Sequence, residues 1–327
     1  MADTRYAWRV TSTAPVPTGH VPVLIDAVIR LLEPRPGERY ADATAGLGGH
    51  AAAVATHLEP DGAVVLNDLD HTSLDRAASA VRAAASGVNV RIIHGSLARL
   101  PTHLADQPAD LLLADFGFAS TQVDDPARGF SFKRDGPLDM RMDTSSPITA
   151  AELVRTLSEA ELADLIRRFG EERNARAIAR KLVAVRAHEP ITSTAQFAAI
   201  VRSIVGPTGR NRAIDGATRT FQALRIAVND EIGSIEALLR SIARAAQRLN
   251  AGEATWLTPG ARIAMISFHS LEDRPVKRVF ADLVERGLAS ALTRRPVRAG
   301  PDELARNVRA RPAKLRAIRL RGESGIG

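Results

Sequence analysis

The sequence predicts an α/β protein in which a parallel β-sheet, covered by helices on both faces, is interrupted by an all-helical insertion. Three observations support this fold class. Short apolar segments alternate with helical segments over residues 39–115, and a glycine-rich turn directly follows the first of them. The alternation then stops near residue 117, and a purely helical block begins after a stretch without periodicity. Strands that alternate with helices form parallel sheets, because each crossover helix returns the chain to the same edge.

The first four strands are predicted from short apolar runs that each end near a polar residue or a glycine. They are Arg39–Thr44, Ala63–Asp68, Val88–His94 and Asp110–Asp115. Helical segments, such as His50–His57 and Ser73–Ala85, separate them. Two later segments, Arg262–Phe268 and Lys314–Leu320, are also predicted to be strands, the second because apolar and basic residues alternate along it. Apolar runs of this length are typical of strands that are buried in a sheet.

The helical block is predicted from start signals and periodicity. Thr149 with Glu152, and Ser158 with Glu161, have the spacing of capping boxes. Helical patterns then cover Leu162–Ala187, a segment from Ser193 to Gly206, and a long segment of about Thr220–Leu249. We therefore predict two domains: a sheet domain formed by residues 1–134 and 216–327, and an inserted helical domain formed by residues 135–215.

Composition restricts the class of protein. Hydrophobic residues make up 45% of the 327 residues, which is enough for a packed core. The chain contains no cysteine, so disulfides and thiolate metal sites are excluded. No apolar run is long enough to span a membrane, and the first ten residues lack a signal-peptide core. These features predict a soluble, cytoplasmic protein.

Positive charge is concentrated near the C-terminal end. Residues 294–321, called here the basic strip, contain ten Lys or Arg and two acids, while the whole chain has a net charge of +7. The rest of the chain is therefore close to neutral. Such a strip favours phosphate binding, because neutralised phosphates release their counterions. A solvated segment that aids solubility explains the composition equally well, so both interpretations stay open.

The glycine-rich turn is the segment Asp42–His50, with the sequence DATAGLGGH. Its glycines permit a tight turn and a close approach of the backbone to a ligand at a helix N-terminus. The second predicted strand ends in Asp68, and an acid in this place accepts hydrogen bonds from the ribose hydroxyls of an adenosine-containing cofactor. Capping of the next helix is the competing role for Asp68, although Asp70 is better placed for that cap.

The ends of the third and fourth strands complete the predicted site. Ligands of doubly wound sheets bind at the carboxyl ends of the strands. The segment His94–Leu97 should therefore lie beside the adenine of the cofactor. Asp115, with the loop at 116–120, should lie where the reacting end of the cofactor meets its substrate.

Longer motifs carry a family resemblance. In chain order they are HVPVL (20–24), DATAGLGGH (42–50), HG (94–95), ADFGFASTQVDD (114–125), RGFSF (128–132), RDGPLDMRMD (134–143), GEER (170–173), ATRTFQALRI (217–226), ISFHSLEDR (266–274) and NVRARPAKLR (307–316). In these motifs and their order, the chain resembles the bacterial 16S rRNA (cytosine-N4) methyltransferases. The resemblance covers almost the whole chain, and the longest motifs are too long to match by chance.

The resemblance implies a class I (Rossmann-like) methyltransferase sheet with an inserted helical substrate domain, and S-adenosylmethionine as the cofactor. It also implies that the methyl group goes to N4 of a cytidine, position 1402 of 16S rRNA, in the decoding centre of the small ribosomal subunit. Carried over position by position, the cofactor contacts of the family fall on Gly48, Gly49, His50, Asp68, Leu97, Asp115 and Gln122.

The chain departs from the family pattern beside the reacting groups. The family commonly has DLGVSSPQ where residues 115–122 read DFGFASTQ, so Phe118 and Ala119 change this loop. The family also commonly has an aromatic residue where Leu97 stands, which predicts weaker stacking of the adenine.

Asp115 is the predicted catalytic residue. Methyl transfer from a sulfonium is an in-line displacement that depends mainly on positioning. The N4 amine of cytosine is a poor nucleophile, so acceptors for its protons favour the reacting geometry. Asp115 supplies such an acceptor, and the carbonyl groups of residues 116–118 are the alternative. The unstacked cytosine is expected to stack on Phe116, Phe118 or Phe130, unless these rings pack in the core.

The remaining charged motifs predict contacts with RNA. The candidate RNA-binding arginines are Arg134, Arg141, Arg219, Arg309 and Arg311. In RDGPLDMRMD, we expect the acids to order the loop and one arginine to face RNA. His269, Glu272 and Asp273 follow the fifth strand, but their spacing is not a standard ligand set, so no metal is predicted. The expected partner is 16S rRNA within the small ribosomal subunit, and no oligomeric state is predicted.

Two other functions compete with the methyltransferase. The first is a nucleotide-dependent oxidoreductase, which the spacing G-L-G-G-H and the basic strip disfavour. Saturable binding of NAD but not of S-adenosylmethionine would support it. The second is a non-catalytic RNA-binding or ribosome-assembly paralogue, suggested by Phe118 and Ala119. Cofactor binding without methyl transfer would support that function.

Overall fold

Seven strands form the sheet in the computed structural model, which describes residues 22–117, 120–206 and 215–322. They are β1 (Arg39–Asp42), β2 (Ala63–Asp68), β3 (Asn89–His94), β4 (Ala109–Asp115), β5 (Leu257–Ser267), β6 (Ala289–Ala291) and β7 (Lys314–Leu320). Their order is β3-β2-β1-β4-β5-β7-β6. Strands β1 to β5 are parallel, and β7 runs antiparallel to both of its neighbours. The order reverses between β1 and β4, so their carboxyl ends flank the crevice in which such sheets bind ligands.

The predicted strands are confirmed, with two differences. β5 begins at Leu257 rather than at Arg262, because its register against β4 shifts between Ala109 and Leu111. Pro259 and Gly260 lie in this irregular part, which hid the first residues of the strand from the sequence pattern. β6 was not predicted, since three residues are too few to show an alternation.

Helices cover both faces of the sheet and form a separate layer. Within the described ranges they are α1 (Ile25–Leu32), α2 (Gly49–Ala55), α3 (His71–Ala84), α4 (Leu100–His103), α5 (Ser120–Asp124), α6 (Ala150–Thr156), α7 (Glu159–Gly170), α8 (Ala175–Arg186), α9 (Thr194–Val205), α10 (Thr218–Asn229), α11 (Glu231–Asn250), α12 (Ser270–Glu285) and α13 (Pro301–Arg306). Ser158 and Glu161 form the predicted capping box. The Thr149 hydroxyl accepts from the Glu152 amide, but the Glu152 carboxylate binds Arg155 instead of completing a second box.

Two continuous helical patterns are each divided in the structure, so the prediction of single helices was wrong there. Glu171 ends α7 with a φ of 48°, and Asp230 separates α10 from α11 with a φ of 46°. Neither residue breaks the apolar periodicity on its own. At Asp230 the division separates two packing environments, since α10 packs in the helical layer and α11 packs on the sheet. At Glu171 it lets α7 and α8 pack on each other within one cluster.

The two faces of the sheet bury separate cores. Leu112 of β4 packs in a cluster with Leu238 and Ile242 of α11. Its neighbours Leu111 and Leu113 pack on the other face, against α1, α2 and α3. This alternation follows from the two-residue period of a strand and explains why β4 is apolar throughout.

A third core cluster lies among the helices of the separate layer. It includes Leu138, Ile166, Ile178, Phe197 and Phe221. Phe221 belongs to α10, so the packing of this layer extends beyond the predicted segment of residues 135–215. The division into domains remains a prediction, and this packing favours a second boundary after α10.

Within the described residues, no helix is both long and apolar enough to cross a membrane.

Candidate active site at the carboxyl edge of the sheet

The glycine-rich turn connects β1 to α2, and close packing explains its glycines. Gly48 has a φ of 81°, and a Cβ atom there would lie 2.5 Å from the Cα atom of Ala77 in α3. A Cβ atom at Gly49 would lie 2.5 Å from the Pro22 side chain. The turn therefore holds α2 tightly against α3 and the N-terminal segment. Contact of Gly48 and Gly49 with a cofactor stays a prediction.

Asp68 closes β2 and is tied to this turn. Its carboxylate accepts hydrogen bonds from the amides of Gly46, at 2.7 Å, and Asp70, at 2.8 Å. Burial raises the pKa of Asp68, while these amide hydrogen bonds oppose the rise. The side chain remains half-buried. An acceptor held by two backbone amides is preorganised for a further donor such as a ribose hydroxyl.

Asp70 caps α3, as the sequence predicted. Its Oδ1 atom accepts from the amide of Thr72 at 3.1 Å. Its Oδ2 atom accepts from Gln122 at 2.7 Å and lies 3.0 Å from Arg128. Burial opposes ionisation, but these hydrogen bonds and the charge of Arg128 lower the pKa of Asp70. Gln122, a predicted cofactor residue, is thus placed at the site through its bond to Asp70.

Asp115 lies at the end of β4, opposite the first turn of α2. Its amide donates to the Thr44 hydroxyl at 2.7 Å, and its Oδ2 atom lies 3.6 Å from His50 Nδ1. His50 Nε2 lies 2.9 Å from the carbonyl of Val23, which accepts only if Nε2 carries a proton. Asp115 Oδ1 is buried and has no hydrogen-bond partner among the described residues. Because buried acceptors normally bind a donor, Asp115 Oδ1 is a candidate ligand-binding atom.

Three acids determine the electrostatics of the edge, and of these Asp42 and Glu272 are buried while Asp115 is half-buried. Burial raises the pKa of Asp115, and the charges of Asp42 and Glu272 raise it further. Burial also raises the pKa of Asp42 to about 7, against hydrogen bonds from Tyr40 and Thr44. Glu272 behaves differently. Burial opposes its ionisation, but hydrogen bonding and charge from His269 lower its pKa.

The end of β3, which is predicted to lie beside the adenine, borders the crevice. Asn67 donates to the carbonyls of Ala43, at 2.9 Å, and Gly95, at 3.2 Å, and so ties three strand ends together. Leu97 is half-buried against the core cluster that contains α11. The sequence analysis missed Asn67, whose only signal was a polar residue in an otherwise apolar strand.

Arg128 joins the crevice to the loop that contains RDGPLDMRMD. Besides its ion pair with Asp70, it donates to the carbonyls of Arg141, at 3.0 Å, and Met142, at 2.9 Å. Asn229 of α10 fixes the same loop, because it binds the amide of Met142 and the carbonyl of Met140. Neither residue was singled out from the sequence, since their partners are distant along the chain.

The residues predicted to stack on the cytosine base differ in their burial and their neighbours. Phe116 is 2% exposed and packs in the core below α11, so its proposed role in stacking was wrong. Phe130 is half-buried, with the Arg128 guanidinium carbon 5.9 Å from its ring centroid. Phe118 and Ala119 lie outside the described residues. Phe268, which was not predicted, is half-buried and would lie 3.5 Å from a Cβ atom at Gly117.

Two of the predicted RNA-binding arginines meet at the end of α5. Arg134 donates to the carbonyl of Asp124, and Arg309 lies 3.6 Å from its carboxylate. Both are exposed, as is Arg311. Arg219 is exposed in the first turn of α10, elsewhere on the surface.

Arg141 is engaged inside its own loop. It binds both carboxylate oxygens of Asp139 at 2.8 Å and donates to the carbonyls of Thr144 and Ser146. These bonds occupy most of its guanidinium donors. The geometry therefore favours the role of Arg141 in ordering the loop, whereas the exposed Arg134 is the arginine available to a ligand.

Part of the basic strip serves the fold. Lys314 and Arg316 of β7 both bind Asp273 of α12, at 3.1 Å and 2.7 Å. Arg319 lies 3.1 Å from Glu33. The strip thus divides into cations that attach β7 to its neighbours and exposed cations, such as Arg309 and Arg311, that precede the strand.

One group among the described residues has the composition of a metal site. Glu231, His269 and Glu272 offer ligand atoms within 4.8 Å of one another. However, Arg225 binds both carboxylate oxygens of Glu231, at 2.8 Å and 2.9 Å. These residues connect α10, α11 and α12 beside the crevice, which fits the predicted support of the pocket wall.

The fold and the site together define a class of protein. A parallel sheet with one antiparallel strand between β5 and β6, a glycine-rich turn after β1, and acids at the ends of β2 and β4 define an S-adenosylmethionine-dependent methyltransferase. The residues fit this cofactor, because the crevice offers acceptors on the half-buried Asp68 and on Asp115, whose Oδ1 atom has no partner in the described part of the chain.

Comparison with known proteins identifies the family. A model of the MraW methylase family matches residues 17–321, and the chain belongs to this family. The ribosomal RNA small subunit methyltransferase H of Acidobacterium capsulatum is 46% identical over 303 residues, which are 91% of this chain and 97% of that protein. The proteins of the same name from Sorangium cellulosum and Thermomicrobium roseum are 47% and 44% identical. Each alignment covers 94% of this chain, and 93% and 96% of the respective relative.

Proposed function

We propose that the protein transfers the methyl group of S-adenosylmethionine to N4 of a cytidine, position 1402, in 16S rRNA of the small ribosomal subunit. The observation that carries this proposal is Asp115, a half-buried acid at the carboxyl end of β4 whose Oδ1 atom has no hydrogen-bond partner among the described residues. Relatives named ribosomal RNA small subunit methyltransferase H, which align over almost their whole length, support the choice of substrate.

Some residues of the crevice bind the cofactor, and others position the reacting groups. Asp68 receives the ribose hydroxyls, while the turn at 42–50 and Leu97 enclose the adenosine end. Bound S-adenosylmethionine supplies an electrophilic methyl group. Asp115 accepts a hydrogen bond from the N4 amine, or it holds the amino-acid end of the cofactor. In either role, His50 fixes the direction of the Asp115 carboxylate.

The RNA is held by the surface around α5 and the basic strip. Arg134, Arg309 and Arg311 are exposed there, and Phe130, four residues before Arg134 in the sequence, lies near the Arg128 guanidinium. The loop ordered by Arg141 is a further candidate contact for RNA, and Arg219 in the first turn of α10 offers a separate one. We place the reaction in the cytoplasm, where the small subunit is assembled, and assign no metal to it.

Mass spectrometry of small-subunit rRNA tests the proposal. Cells that lack the protein should lose N4-methylation of the cytidine, and the wild-type gene should restore it. A gene encoding Asp115→Asn should not restore it. Unchanged methylation in the deletion strain would contradict the proposed substrate.

Binding measurements separate the competing functions. Purified protein should bind S-adenosylmethionine and methylate RNA from immature small subunits. Cofactor binding without methyl transfer would support the non-catalytic paralogue, and preference for NAD would support the oxidoreductase.

A further inference from the structure

A cavity of about 310 Å³ lies outside the active site, where the helical layer meets the sheet. Its walls come from the end of α7, the first turns of α11 and one face of α12. Leu271, Arg274 and Arg278 line it from α12, and this spacing places them on one side of the helix. Glu272, between them, is 1% exposed and belongs to the active-site edge. Helix α12 therefore separates the cavity from the active site.

The lining combines positive charge with an aromatic ring. Arg168, Arg274 and Arg278 are exposed around the half-buried Phe169. The guanidinium carbon of Arg168 lies 5.1 Å from the centroid of the Phe169 ring. An aromatic face that is flanked by guanidinium groups suits a nucleotide, because the base stacks on the ring and the phosphate pairs with the cations.

The charge of the cavity is only partly neutralised. Glu171 binds Arg274 at 2.5 Å, and Glu236 lies 3.8 Å from Arg240. Among the residues that the structure describes, no carboxylate lies within ion-pair distance of Arg278. The hydrogen bond from Arg274 and the charge of Arg219 both lower the pKa of Glu171. The backbone of Arg219, a predicted RNA-binding residue, lies beside the end of α7, because a Cβ atom at Gly170 would be 2.7 Å from the Arg219 carbonyl oxygen.

We propose that this cavity binds an unpaired nucleotide of the RNA substrate, separate from the reacting cytidine, with its base on Phe169 and its phosphate on Arg278 and Arg168. The inference rests on the proposed function. Only an unstacked base can enter a cavity of this kind, so the nucleotide belongs to a single-stranded part of the RNA. A nucleotide anchored on one side of α12 fixes the position of the RNA relative to the active site on the other side.

Substitution of Arg278 and Phe169 tests the proposal on a small-subunit rRNA fragment that the wild-type protein methylates. Arg278→Gln should weaken RNA binding at least fivefold and reduce the dependence of log K on log salt by about 0.7, the value for one phosphate of a single strand. Phe169→Leu should weaken binding without changing this slope. In both variants KM for RNA should rise while kcat and S-adenosylmethionine binding stay unchanged.

Lys277→Gln is the matched control, because Lys277 is an exposed cation on the same helix and does not line the cavity. Wild-type affinity in Arg278→Gln, or an equal loss in Lys277→Gln, would overturn the proposal. A loss seen only with ribosomal particles and not with free RNA would also overturn it and indicate an acidic protein segment. Absence of methyl transfer by the wild-type protein would instead refute the proposed function.

Discussion

Asp115 has one carboxylate oxygen near His50 and one without a partner among the described residues. Asp115→Asn keeps the shape but removes the charge and replaces one acceptor by a donor. We expect methylation of small-subunit RNA to fall at least tenfold, which corresponds to about 1.4 kcal/mol of activation free energy. Single-turnover assays measure the role of Asp115 in methyl transfer, and calorimetry measures its role in S-adenosylmethionine binding. A parallel loss of binding identifies a cofactor ligand, and unchanged turnover would refute both roles.

Asp68 provides a second test at the level of a single residue. Asp68→Ala should weaken S-adenosylmethionine binding by about 1–3 kcal/mol, since hydrogen bonds between ribose and a charged acceptor are lost. Isothermal calorimetry measures this change. Asp75→Ala is the control, because Asp75 is exposed on α3, and this variant should bind as the wild type does. Unchanged affinity in a folded Asp68→Ala protein would remove Asp68 from the cofactor site.

Asp42 makes the stability of the protein dependent on pH. Burial raises its pKa in the folded state to about 7, above the ordinary value of 3.8. Between these two values the folded state binds more protons at this position than the unfolded state does, so its contribution to stability decreases as pH rises toward 7. Asp42→Asn should reduce this decrease. Urea unfolding at pH 5 and pH 8 measures the difference, and the same pH dependence in both proteins would contradict the assignment.

At the level of the elements, sequence reasoning located the strands because each shows its own local pattern. It also placed Asp68, Asp70 and Asp115 at one edge, since the carboxyl ends of parallel strands meet there. It did not find Arg128 or Asn229, whose partners Asp70 and Met142 are remote in sequence. It also missed the break between α10 and α11 at Asp230. The spacing of apolar residues shows which side of a helix is buried, but it does not show where the helix axis changes direction.

The junction of α10 and α11 depends on a largely buried ion pair. Arg225 and Glu231 are 11% and 9% exposed and bridge the break at Asp230. Glu231→Gln removes the carboxylate that binds the largely buried guanidinium through two hydrogen bonds, so we expect a loss of about 3 kcal/mol in the free energy of unfolding. Denaturant titration measures this loss. Glu236→Gln is the control, because its pair with Arg240 is exposed, and it should change stability by less than about 1 kcal/mol.

For the molecule as a whole, we propose that the exposed part of the basic strip provides much of the attraction for RNA. The double substitution of Arg309 and Arg311 by Gln should weaken RNA binding and lower its salt slope by about one per lost phosphate contact. Filter binding over a range of salt concentrations measures the slope. Substitution of Arg76 and Arg82, which are exposed on α3, by Gln removes the same charge and should have a smaller effect. An unchanged slope in the first variant would assign Arg309 and Arg311 to solubility.

The insertion of the helical layer between β4 and β5 has a consequence for the order of folding. Asp115 and Ile266 are register partners in the centre of the sheet, although the whole helical layer separates them in the chain. Closing a long flexible loop costs conformational entropy before any strand pairing compensates for it. If the helices fold first, they form a compact connection that brings the ends of β4 and β5 together. The helical layer, which we propose to position the substrate, would then also promote the pairing of β4 with β5.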